Sequence, residues 1–177
     1  MQRIGILALA GVALVACSQV KAFEVGRAPD WTFTGRFIDV WGSRQAAEIT
    51  SARRRDGDDI ITEVVLARAP GQLKVGDVEV AVAAFRLRIG CAPVFYRIER
   101  ITSLAQDGRV LFSQVIDDPL DMPNGPYTAL ANELCADASQ VQPDFTSLSA
   151  FREEALSRPQ MIIMLHSPQV VPRYRAR

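Results

Sequence analysis

The chain has 177 residues, enough for one domain with appendages, and 49% of them are hydrophobic, as in a globular protein. Twenty basic residues balance twenty acidic ones, so the formal net charge is zero. A neutral chain creates no long-range field that would recruit nucleic acid or an acidic membrane surface, and we expect neither as a partner.

The N-terminal stretch MQRIGILALAGVALVACSQVKA is typical of a secretion signal, because one arginine precedes an apolar run that ends in small residues. As a helix, Ile4 to Cys17 would be about 21 Å long, too short for a bilayer core of roughly 30 Å. Two cleavage sites compete. The letters LVAC, ending at Cys17, resemble a bacterial lipobox and predict a signal peptide over 1–16, a lipidated Cys17 and an outer-membrane anchor. The letters VKA predict cleavage after Ala22 and a soluble periplasmic protein.

Residues 17–30 are expected to form a tether, and β-rich segments separated by turn signals begin at Trp31. We expect an irregularity near Ala83, and the segment at 46–54 is the weakest strand candidate. The predicted strands are 31–38, 46–54, 60–68, 78–91, 94–102 and 109–116.

Three prolines then end the sheet pattern, and apolar residues at helical spacing predict a helix over 127–136. Strands followed by helices indicate an α+β fold, here an antiparallel sheet of five or six strands with a C-terminal helix on one face. We expect residues 31–136 to form the core domain. Residues 137–177 are expected to be a C-terminal extension with one helix, 147–157, and a short apolar segment, 161–165.

The hairpin RLRIGCAPVFYRIER divides cleanly into two faces if Ala92 and Pro93 form its loop. The face expected to be buried carries Phe85, Leu87, Ile89, Cys91, Val94, Tyr96 and Ile98. The opposite face carries Arg86, Arg88, Arg97 and Glu99, and in this register Arg86 lies opposite Glu99.

Cys91 therefore points toward the core, and Cys135 lies on the apolar flank of the following helix. A disulfide between them would close a loop of about 45 residues and stabilise the fold by about 4 kcal/mol. A zinc site would need about four nitrogen or sulfur ligands, more than the two remaining cysteines and His166 provide. A catalytic cysteine would need a nearby histidine, and His166 lies close to the C-terminus. We expect a disulfide, no metal and no cofactor.

The arginine face has two interpretations. Arg86, Arg88 and Arg97, with Arg53 to Arg55 nearby, could bind an anionic polymer or a partner. The commoner arrangement is a solvated face of an antiparallel sheet, with no ligand.

Residues 36–136 contain five segments in a recognisable order. They are a strand ending RLRIGC, the segment YRIERIT, the segment QDGRVLF, a proline-rich loop and a helix ending ELC. This order resembles the surface-adhesin protein E family of small secreted proteobacterial domains. The resemblance implies an antiparallel sheet with a helix disulfide-bonded to one face, and a surface lipoprotein that binds host proteins. The shared motifs are structural, so no binding residue is carried over.

The sequence contains no G-x-S-x-G, H-E-x-x-H or P-loop motif. Asp56, Asp58 and Asp59 lack the spacing of a calcium loop and indicate a hairpin turn instead. We therefore expect a non-enzymatic cell-envelope lipoprotein with a binding or adhesin-like domain whose partner is a host or envelope protein. The alternative is a structural or accessory component of an envelope complex with no external ligand. An enzyme with an unrecognised site is the third hypothesis.

Overall fold

The computed structural model describes residues 29–40, 43–136 and 142–158. The predicted signal segment with Cys17, most of the expected tether and the apolar segment at 161–165 lie outside these residues. The elements are β1 (Arg36–Val40), β2 (Ser43–Asp56), β3 (Asp59–Ala67), β4 (Lys74–Val75), β5 (Val78–Glu79), β6 (Val82–Cys91), β7 (Val94–Leu104), β8 (Val110–Val115), α1 (Thr128–Cys135) and α2 (Leu148–Ser157).

The sheet contains six strands in the order β1-β2-β3-β6-β7-β8, and all neighbours pair antiparallel. Strands β4 and β5 form a separate two-stranded hairpin between β3 and β6. The pairs Asp56-Gly57 and Asp107-Gly108 lie in the turns β2–β3 and β7–β8, and both glycines adopt the positive φ that such turns favour. The α+β prediction of five or six antiparallel strands is confirmed.

Helix α1 packs on one face of this sheet. Its buried Leu130 and Leu134 contact a cluster that includes Leu87, Ile89 and Tyr96. These three residues belong to the face of the hairpin that the alternating pattern places in the core. The face prediction around Cys91 is therefore confirmed.

The hairpin register matches the prediction from Cys91 back to Leu87 and then shifts by one residue. Leu87 lies opposite Ile98, but Arg86 lies opposite Arg100, so Glu99 is an extra residue in β7. The predicted pairing of Arg86 with Glu99 across the strands is wrong for this reason. The irregularity expected near Ala83 is not there, because Ala83 and Ala84 pair regularly with both β3 and β7. The nearest irregular positions are the break between β5 and β6 and this β-bulge.

Helix α2 packs on the opposite face. Its N-cap is Ser147, whose Oγ accepts a hydrogen bond from the Ala150 N–H at 3.1 Å. Phe151 and Ala155 are fully buried against this face. Residues beyond 136 thus contribute to the core, so the expected boundary at 136 divides residues that pack together.

The N-terminal part of the domain is less regular than the sequence predicts. Residues 31–34 do not continue β1, which begins at Arg36. The hydroxyl of Ser51 instead donates a hydrogen bond to the Thr32 carbonyl at 2.6 Å, where β2 departs from regular pairing.

Within the described ranges, neither helix is long and apolar enough to cross a membrane.

Candidate functional site: the arginine face

The arginine face lies on the same side of the sheet as α2, beyond the residues that α2 covers. Arg86 and Arg88 alternate along β6, and Arg97 lies directly opposite Arg88 on β7. The structure therefore brings the three predicted arginines together. Their side chains are largely buried, with exposed fractions of 15%, 22% and 30% respectively.

Each of these arginines is paired with acidic side chains. The Nε of Arg86 donates to Glu63 Oε1 at 2.7 Å, and Asp30, from the expected tether, lies 3.9 Å from Arg86 Nη2. The Nε of Arg97 lies 2.8 Å from Asp121 Oδ1, an ion pair that lacks the angle of a hydrogen bond.

Arg88 has the largest set of acidic partners. It donates to Glu99, the bulged residue of β7, and its Nη2 and Nη1 lie 2.9 Å from Asp56 and 3.3 Å from Asp59. The hydrogen bond to Glu99 is the main cause of the raised pKa of Arg88, and the bond to Asp56 adds to it. Two of the aspartates in the β2–β3 turn region are thus ion-pair partners of an arginine.

The acid that pairs with Arg86 is itself buried. Burial raises the pKa of Glu63, and the nearby charge of Arg86 offsets that effect only in part. The arginine face therefore carries both signs of charge. A polyanion would have to displace carboxylates that already neutralise these guanidinium groups.

The most exposed part of this face surrounds Arg97. Its guanidinium carbon lies 5.0 Å from the centroid of the Phe95 ring, within cation–π range. The ring of Phe95 lies across Gly90, where an added Cβ would be 2.2 Å from a ring carbon. Leu120, next to Asp121, is 75% exposed. We call Phe95, Arg97, Leu120 and Asp121 the Arg97 patch.

Phe95 and Leu120 were not predicted to be surface features. The signal for Phe95 was an aromatic residue between the core positions Val94 and Tyr96, which places it on the polar face. No periodic signal marks Leu120, because it lies in the proline-rich loop after β8.

A second charged cluster, on the α1 face, was also missed. Glu48 is fully buried, and it accepts hydrogen bonds from Arg36 Nε at 2.9 Å, from Arg53 Nε at 2.9 Å and from the Thr62 hydroxyl at 3.1 Å. Arg36 also pairs with Glu133 of α1. Burial lowers the pKa of Arg36, but the hydrogen bonds to Glu133 and Glu48 outweigh it, and the pKa is raised. The cluster connects three strands and α1 and has a structural role.

The predicted disulfide is present. Cys91 and Cys135 are bonded, with their Cα atoms 5.4 Å apart, and they join the end of β6 to the end of α1. The described parts of the chain contain no group of three or more His, Cys, Asp or Glu residues arranged to hold a metal ion.

None of the known protein-family models matches this chain, and no similar curated protein or solved structure was found.

Proposed function

We propose that the protein is a non-enzymatic, lipid-anchored binding domain of the bacterial cell envelope. The observation that carries the proposal is the Cys91–Cys135 bridge, because such bonds persist in oxidising compartments and are rare in the cytosol. The signal sequence and the lipobox ending at Cys17 support the same compartment.

The Arg97 patch supports a protein as the ligand. Arginine and aromatic residues are enriched where protein interfaces gain most of their binding energy. In this patch a partly exposed arginine lies on an aromatic ring, and the neighbouring loop exposes a leucine. The carboxylates beside the arginines favour a partner surface that carries both signs of charge. The resemblance to the surface-adhesin protein E family supports a host protein as that partner.

The binding test uses two matched double variants of the exported full chain. The first changes Arg97 and Leu120 to alanine. The control changes Lys74 and Leu73 to alanine. Lys74 is an exposed cation on β4, and Leu73 is the exposed leucine that precedes it. Proteins cross-linked to each variant on intact cells, with and without host material, are quantified by mass spectrometry.

We expect the Arg97/Leu120 variant to lose about tenfold or more of one specific partner, and the Lys74/Leu73 control to keep it. Circular dichroism and the intact disulfide check that both variants fold. Equal recovery from the two variants, or no partner enriched over background, would contradict the proposal.

The anchor is tested separately with Cys17→Ser. We expect this change to move the protein from the membrane fraction to the soluble fraction and to remove the lipid mass. An unchanged distribution and an unchanged mature mass would show that the protein is cleaved elsewhere, for example after Ala22.

The second candidate function is a structural or accessory component of an envelope complex without an external ligand. The observation that favours it is the edge strand β8, which has no charged residue and ends in an exposed Val115. In the same cross-linking experiment this function predicts envelope proteins as partners, recovered equally well without host material.

A further inference from the structure

The β-bulge in β7 decides which face of the sheet Arg100 occupies. Without the extra residue Glu99, Arg100 would lie opposite Phe85, which packs on the α1 face. The bulge instead places Arg100 opposite Arg86. Burial raises the pKa of Glu63, and the charges of Arg86 and Arg100 both act against that rise, so Arg100 lies close to this carboxylate. Arg100 therefore belongs to the arginine face, an example of a bulge that redirects a side chain.

Arg100 differs from Arg86, Arg88 and Arg97 in its partners. Each of those three arginines lies within ion-pair distance of an acidic side chain. Among residues 29–40, 43–136 and 142–158, no acidic side chain forms an ion pair with Arg100, and Glu63 accepts its hydrogen bond from Arg86 instead. Arg100 is thus a partly buried cation without a bonded carboxylate in this part of the chain.

The neighbours of Arg100 connect it to the Arg97 patch. Val115 lies directly opposite Arg100 on β8 and is 46% exposed. Arg97 is three positions before Arg100 on the same strand, a separation of about 10 Å at roughly 3.3 Å per residue. Arg100 and Val115 therefore extend the Arg97 patch with a cation that lacks an ion pair and with an exposed apolar side chain.

We propose that Arg100 binds the carboxylate of an aspartate or glutamate side chain of the partner protein. This inference rests on the proposed function, because it names the group that the extended Arg97 patch recognises. Glu63, Glu99 and Asp121 are already paired with other arginines, so the partner must supply the carboxylate for Arg100. A guanidinium group can hold a carboxylate with two parallel hydrogen bonds, which also fixes its orientation. An extended polyanion would meet the carboxylates of Glu99 and Asp121 as well, which favours a single acidic side chain.

The first experiment repeats the cross-linking on intact cells with Arg100→Gln, and with Arg109→Gln as the matched control. Both changes remove one positive charge, and the Arg109 side chain is 46% exposed in the β7–β8 turn. We expect Arg100→Gln to lose about tenfold of the partner that the parent chain captures, and Arg109→Gln to keep it. Added salt should weaken capture by the parent chain more than capture by Arg100→Gln, because the variant lacks the ion pair. Circular dichroism checks that both variants fold.

The second experiment identifies the chemical group that position 100 contacts. A carbodiimide joins an amine directly to a carboxyl group, and the native lysines of the chain are Lys21 and Lys74. In the Arg100→Lys variant we expect a cross-link between position 100 and an aspartate or glutamate of the same partner, located by mass spectrometry. Arg109→Lys is the control and should give no such link.

The two experiments separate this inference from the proposed function. Equal capture of one partner by Arg100→Gln and Arg109→Gln would overturn the inference and leave the proposed function standing. A captured partner that is never linked through position 100 in the Arg100→Lys variant would have the same consequence. A parent chain that enriches no partner over background would contradict both.

Discussion

Removing the Cys91–Cys135 bridge tests how the helix is held on the sheet. The bridge joins residues that are 44 positions apart in sequence. Loop-closure entropy for a loop of this size corresponds to about 4 kcal/mol, a large part of the roughly 5–15 kcal/mol that stabilises a small domain. Helix α1 has eight residues and no side-chain cap. A helix this short is marginal by itself, so its position depends on packing and on the bridge.

The assay is equilibrium urea unfolding of the exported chain with Cys91 and Cys135 both changed to alanine. We expect the free energy of unfolding to fall by about 4 kcal/mol, because the unfolded chain gains the freedom that the bridge removes. Cys17→Ala should leave the unfolding free energy unchanged and serves as the control. A loss below about 1 kcal/mol, or free thiols at both positions in the exported parent protein, would refute the reasoning.

Two further predictions concern buried ionisable groups. Glu48→Gln should lower the free energy of unfolding by about 3 kcal/mol or more, because it leaves two arginines around a buried neutral group. Glu133 is the 42% exposed partner of Arg36, so Glu133→Gln should lower the free energy of unfolding by no more than about 1 kcal/mol. Equal losses for the two variants in urea unfolding would contradict the structural role of Glu48. Burial raises the pKa of Tyr127 to about 12, so the folded state keeps a proton that the unfolded state releases near pH 10. Stability should therefore fall as pH rises from about 10 to 12, by roughly 3 kcal/mol, and Tyr127→Phe should flatten that part of the pH profile of thermal unfolding. An unchanged profile would show that Tyr127 ionises normally.

Most of the strands could be predicted from sequence because alternation with a period of two is a local property. Every strand except β4 overlaps a predicted segment, and the single predicted segment 78–91 contains both β5 and β6. Strand β4 and the separation of β5 from β6 were missed because two-residue strands are too short to show a period. The shifted pairing of Arg86 was missed because a single extra residue, Glu99, leaves no mark in the pattern of either strand.

The candidate site was predicted only in part. The alternating pattern placed Arg86, Arg88 and Arg97 on one face, but it could not show that acidic side chains neutralise them. Those partners are distant in sequence: Asp121 lies 24 positions after Arg97, in a loop with no periodic pattern. The sequence suggested a cationic surface for this reason, whereas the structure has a face of mixed charge.

By itself, the sequence determined the class of the fold, the side of the hairpin that is buried and the inward direction of Cys91, because each depends on the local alternation of side chains. Tertiary structure alone decided that α2 covers the second face, that Glu48 accepts hydrogen bonds from Arg36 and Arg53, and that the segment at Asp144 and Phe145 pairs with the β1 edge of the sheet. These features depend on contacts between distant segments, such as Arg36 with Glu133, 97 positions apart. Such contacts arise from the geometry of packing and leave no periodic trace along the chain.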